Sequence, residues 1–166
     1  MSPVPPAPTG VTFIDLEFDT GTKGGALLGD IASSLVSLDE LLRDLASIAA
    51  YPASAEFRKI EIAAIDMRSP LKIRLSLFGI SPDAVKAFQE LCRYIIVFRE
   101  RRSLTASDSD DVSARRLANI KGALAHCTSD GTQARITEQE TRRLQGHIVT
   151  LQNAAIPLKR VEVKEE

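Results

Sequence analysis

Residues 71–78 read LKIRLSLF. Leu71, Ile73, Leu75 and Leu77 alternate with Lys72, Arg74 and Ser76, so an extended chain here has one apolar face and one polar face. Such a strand must bury one side and hydrate the other, which asks for an antiparallel sheet covered on a single face. A second run, VTFIDLEF at 11–18, repeats the demand. Thr12, Ile14, Leu16 and Phe18 share one face, and Val11, Phe13, Asp15 and Glu17 share the other. Helices have to supply the cover.

Two helical patterns stand close by. In ALLGDIASSLVSLDELLRDLASIAAY, the residues Leu28, Ile31, Leu35, Leu38, Leu42, Leu45 and Ala49 recur at steps of three and four, one stripe of a helix. Leu27, Leu41 and Ile48 widen that stripe, and Pro52 stops the helix. FRKIEIAAIDM at 57–67 reads as a strand, and the three-residue break RSP before Leu71 makes it one arm of a hairpin. Ser81 as N-cap and Pro82 at the first helical position open a second helix. Its stripe is Ala84, Phe88, Leu91, Ile95 and Phe98, and Arg99, Arg101 and Arg102 suit the negative end of the helix dipole.

Strand, helix, strand, strand, helix over residues 11–102 is the split βαβ arrangement of ferredoxin-like folds. The expected class is therefore α+β, an antiparallel sheet with helices on one face, followed by a C-terminal helical extension. The fourth strand such a core needs is delayed. Residues 103–111, SLTASDSDD, form a polar linker. Within 112–166, Leu117, Ile120, Leu124 and Cys127 have helical spacing, and TEQE at 137–140 is a capping box. It opens a helix with the stripe Leu144, Ile148, Leu151 and Ala155. The missing strand is either 158–164, LKRVEVK, or the stretch 132–137. At the other end, four prolines in residues 1–10 make an extended, disordered tail with neither the basic nor the apolar region of a signal peptide.

Composition narrows the function. Twenty-one basic residues against 22 acidic ones give a net charge of −1, which lacks the electrostatic footprint of a nucleic-acid binder. Cys92 and Cys127 are too few for a disulfide framework and suit a reducing compartment. The longest apolar runs, such as YIIVF at 94–98, are far short of the roughly 20 residues of a membrane span. The expectation is a cytoplasmic protein without membrane or nucleic-acid partners.

The stretch from Asp19 to Gly25 looks most like chemistry. Phe18-Asp19-Thr20-Gly21-Thr22 resembles the Asp-Thr-Gly motif of aspartic proteases. Those enzymes pair two aspartates around one proton in an all-β frame. Here a long helix pattern follows, and Glu17 stands where an apolar residue belongs. A P-loop is equally foreign, because Lys23 precedes its glycines and no Ser or Thr follows them. TKGGALLGDIASSL is similar to the glycine-led start of helix 1 in ACT-type regulatory domains, which bind amino acids at that loop. The resemblance implies a ligand loop formed by Asp19, Thr20, Gly21, Thr22, Lys23, Gly24 and Gly25. The simpler reading is that Gly21, Gly24 and Gly25 turn the chain from strand to helix.

Elsewhere, Asp15 and Glu17 should face Lys72 and Arg74 across two neighbouring strands as ion pairs. Only Phe13 and Phe78 are outward aromatics, so the face lacks the stacking platform of RNA-recognition domains. Cys92, His126, Cys127 and His147 have no metal-ligand spacing, and no Gly-x-Ser-x-Gly elbow is present. The doublets Arg101-Arg102, Arg115-Arg116 and Arg142-Arg143 read as solvated helix faces. No catalytic residue, metal or cofactor is expected. What remains is an accessory or assembly module that self-associates or binds a protein partner. Its interface would use Val36, Leu38, Leu41 and Leu42 of the first helix with Tyr94, Ile96 and Val97 of the second, unless the C-terminal helices cover them. The alternatives are an ACT-like sensor using the glycine loop and an enzyme of unidentified type.

Overall fold

A computed structural model describes residues 12–20, 28–49, 59–66, 70–102, 110–127 and 138–165. In chain order the elements are β1 (Thr12–Phe18), α1 (Leu28–Ala49), β2 (Lys59–Asp66), β3 (Leu71–Phe78), α2 (Pro82–Arg102), α3 (Asp110–Cys127), α4 (Glu138–Gln152) and β4 (Leu158–Glu165). Among the described residues the fold is α+β, with four helices and one four-stranded antiparallel sheet in the order β2-β3-β1-β4. The last strand takes the 158–164 alternative, while 132–137 lies outside the described residues, as do the tail 1–10 and linker residues 103–109.

The two alternating runs pair with each other at the centre of the sheet. Ile14 stands opposite Leu75 and Leu16 opposite Ile73, and on the other face Asp15 meets Arg74 and Glu17 meets Lys72. The apolar side chains of both strands are buried and form one cluster with Leu38, Leu41, Leu42 and Leu45 of α1 and Phe88, Leu91 and Ile95 of α2. Helices therefore stand against the apolar face, and the charged face is left to water.

Local chemistry sets the helix ends. Ser81 Oγ accepts the backbone N–H of Ala84 at 3.2 Å, capping α2 just before Pro82. Gly79, between β3 and that cap, has a φ of 69°, a conformation glycine adopts without steric cost. At the far end of α4, the Asn153 side chain and backbone N–H both donate to the Val149 carbonyl, at 3.0 and 3.1 Å, ending the helix at Gln152. The capping-box residue Thr137 lies outside the described residues.

The C-terminal helices close the core. α3 contacts α2, α4 contacts α1 and α2, and α2 also runs beside β4. Arg116 of α3 donates to Oε1 of the wholly buried Gln152 at 2.9 and 2.7 Å, joining the two C-terminal helices. His147 of α4 lies 3.0 Å from Asp44 and 3.4 Å from Glu40 of α1, with Arg143 at 3.5 Å from Asp44.

Two stripe residues do not follow their periodicity. Leu28 opens α1 and is 81% exposed, whereas Ile31, one turn on, already packs against the core. Ala155 is exposed because α4 has already ended, and Ile156 is buried in its place.

Candidate functional site

The open face of the sheet is densely charged. Register places Asp66, Lys72, Glu17 and Arg160 in one row across all four strands. A shallow cleft of about 380 Å³ lies here, lined by four carboxylates (Asp15, Glu17, Asp66 and Glu162) and four cations (Lys72, Arg74, Arg160 and Lys164). Arg74 grips Asp15 with Nε and Nη2 at 2.7 and 3.0 Å. Lys164 reaches the same carboxylate at 3.3 Å. The hydrogen bond from Arg74 is the main cause that holds the Asp15 carboxyl below its ordinary range, against the opposing effect of burial. The Arg74 guanidinium also lies over the Phe13 ring, 5.4 Å from its centroid. The ion pairing expected between Asp15 and Arg74 is present. Charge on this face is balanced by its own neighbours, and Arg74 occupies the Phe13 ring that a base would need for stacking.

Of the glycine-loop candidates, Asp19 and Thr20 are described, and Gly21, Thr22, Lys23, Gly24 and Gly25 lie outside the described residues. The Asp19 N–H donates to the Pro157 carbonyl at 2.9 Å, tying the exit of β1 to the chain that enters β4. Cys92 is wholly buried, and burial pushes its thiol up, away from the nucleophilic thiolate. Among the described residues, no group of three or more His, Cys, Asp or Glu side chains could hold a metal ion. Nor is any described helix long and apolar enough to cross a membrane.

The interface candidates separate into two sets. Leu38, Leu41 and Leu42 are buried in the core. The apolar arc of α1 is wide because the helix meets the core on one side and α4 on another, so these leucines are already covered within the chain. Val36 and Val97 are exposed, and Tyr94 and Ile96 are half-buried. Tyr94 and Val97 line a groove of about 500 Å³ with Ala118, Asn119 and Gly122 of α3. The Tyr94 hydroxyl is buried and has no hydrogen-bond partner among the described residues.

A surface the helical stripes did not point to lies on β2. Ile60, Ile62 and Ile65 stand opposite Leu77, Leu75 and Ile73, on the apolar side of the sheet. Those β3 partners are buried, whereas Ile62 is 53% and Ile65 is 50% exposed. The one signal in the sequence is the Ile-x-Ile-x-x-Ile spacing of the strand itself. Comparison with known proteins finds no family model, no curated protein and no solved structure that matches this chain.

Proposed function

We propose that the chain is a non-catalytic assembly module with a ferredoxin-like core, and that it acts by self-association. In this reading, α3 and α4 are a helical pair inserted between the second crossover helix and the last strand. The sheet order β2-β3-β1-β4 supports it, because each of two split βαβ units would then leave one strand of the other between its own two. The observation that carries the functional reading is the apolar side of β2, with Ile62 and Ile65 half open to water on an edge strand. Exposed apolar side chains on a strand at the edge of the sheet, as β2 is among the described residues, favour contact with another chain.

The chemistry elsewhere favours the same reading. On the sheet face, Asp15, Arg74 and Lys164 engage one another rather than converging on an open position. His147 is held between Glu40 and Asp44 in the seam between two helices. The test is the mass of the full chain in solution by sedimentation velocity and native mass spectrometry through the micromolar range. Self-association predicts a whole multiple of 18.1 kDa that dissociates on dilution. A monomer at every concentration contradicts it.

A further inference from the structure

We infer that the partner is a second copy of this chain, docked edge to edge through β2 in antiparallel register about a two-fold axis between Ile62 and Ala63. The inference rests on the self-association reading and names its surface. Its basis is that β2 is complementary to itself in one register. Ala63 is an extra residue in the pairing with β3, since Ile62 stands opposite Leu75 and Ala64 opposite Arg74. That bulge shifts the alternation by one. Ile60, Ile62 and Ile65 thus share the apolar face, and Lys59, Glu61, Ala64 and Asp66 share the polar face.

A regular strand paired with itself about a point between two residues would set inward side chains against outward ones. Here the bulge removes the conflict. Ile60 stands opposite the partner's Ile65, Glu61 opposite the partner's Ala64, and Lys59 opposite the partner's Asp66. By symmetry each contact occurs twice. Like faces meet in these three pairs, Ile62 meets the partner's bulge residue Ala63, and opposite charges meet at both ends. Moving the axis one residue toward the C-terminus sets Glu61 against the partner's Asp66, a like-charge pair. Moving it one residue the other way sets Glu61 against the partner's Ile62, across faces. Charge excludes the one shift and the facing of side chains excludes the other, so together they select this register, and the paired sheets become one continuous sheet of eight strands.

The middle of β2, Ile62-Ala63-Ala64-Ile65, carries no charge to repel an incoming strand. At the opposite edge, β4 reads LKRVEVKE, with five of its eight residues charged. Backbone hydrogen bonds would hold the two copies together, and the isoleucine pairs would fix the face.

The decisive experiment is sedimentation velocity on the full chain and two charge variants, Lys59→Asp and Asp66→Lys, alone and mixed. Each variant alone brings like charges together at both ends of the strand pair, and should weaken the dimer roughly tenfold. In the equimolar mixture one chain is acidic at both positions and its partner basic at both, so dimerisation should return to the parent level. A parent dimer that both variants leave unchanged, or a mixture that fails to recover, overturns the β2 register while leaving self-association intact. A parent that is monomeric throughout removes both. Should either charge variant lower the melting temperature, Ile65→Lys is the second probe. That side chain is half exposed in the single chain, and its replacement must still weaken the dimer at least tenfold against the partner's Ile60. Unchanged association of a folded Ile65→Lys protein, or capture of a foreign strand with no β2–β2 contact, also overturns the proposal.

Discussion

The two edges of the sheet have the same length and opposite fates. β2 and β4 are each eight residues long, and each pairs antiparallel with one central strand. On β4, Leu158 is buried, Val161 and Val163 are half-buried, and α2 runs alongside. On β2, five consecutive residues from Glu61 to Ala64 and Ile65 are exposed, isoleucines included. The difference comes from the helices. α2 stands by β4 and α3 packs on α2, while α4 bridges α1 and α2. Among the described residues, no helix stands as close to β2 as α2 does to β4, and Ile62 and Ile65 on its apolar side are half exposed. Charge follows the same division: the covered edge is also the one guarded by lysine and glutamate. An edge can be managed by cover and charge; among the described residues β2 is the less covered of the two edges, and its middle, Ile62 to Ile65, is uncharged.

The largest expected contrast is in stability. Leu158→Ala empties a buried position on β4 and should cost about 2–5 kcal/mol. Ile65→Ala on β2, measured where the chain is too dilute to associate, should cost under about 1 kcal/mol. Urea denaturation of both variants checks the difference, and equal losses would mean that β2 is as well covered as β4. Next comes the junction that delivers the chain into β4. Gln152→Ala leaves the Arg116 guanidinium without the oxygen it meets at 2.9 and 2.7 Å. Hydrogen bonds to charged groups are worth more than neutral ones, so the loss should be about 1.5–3 kcal/mol. It should leave solution mass unchanged, because β2 lies at the opposite edge.

How much of this was legible beforehand varies with distance along the chain. Alternation at 71–78 and 11–18 carried enough information to place both central strands, their buried faces and the facing of Asp15 by Arg74, because these follow from local periodicity and one antiparallel neighbour. The role of Leu38, Leu41 and Leu42 did not follow. A wide apolar arc looks the same whether a partner or the chain's own α4 covers it, and that depends on residues about a hundred positions away. Ile62 and Ile65 present the converse case. Their spacing resembles a buried strand, and only the placement of the helices leaves them open. Leu28 and Ala155 show that periodicity continues past the point where a helix leaves the core. The glycine loop's Gly21 to Gly25 lies outside the described residues, so the likeness to ACT-type loops stays an expectation.

The smallest effect belongs to the polar face, which both edges share. Asp15→Asn loses the ion pair with Arg74 and should cost about 0.2–1 kcal/mol at neutral pH. The Asp15 carboxyl is held below its ordinary value of 3.8, so its contribution is present above that pH and fades as pH falls through the lower, folded value. Parent and variant should therefore converge in acid. A gap that widened as pH fell would mean that the Asp15 carboxylate is not stabilised in the fold.

The most direct measurement is hydrogen–deuterium exchange across a dilution series, read separately for peptides covering 59–66 and 158–165. Edge-to-edge association through β2 predicts that the 59–66 amides gain protection as concentration rises, while those of β4 stay the same. If β2 exchanges at one rate at every concentration while the chain self-associates, the copies meet on some other surface and the account is contradicted.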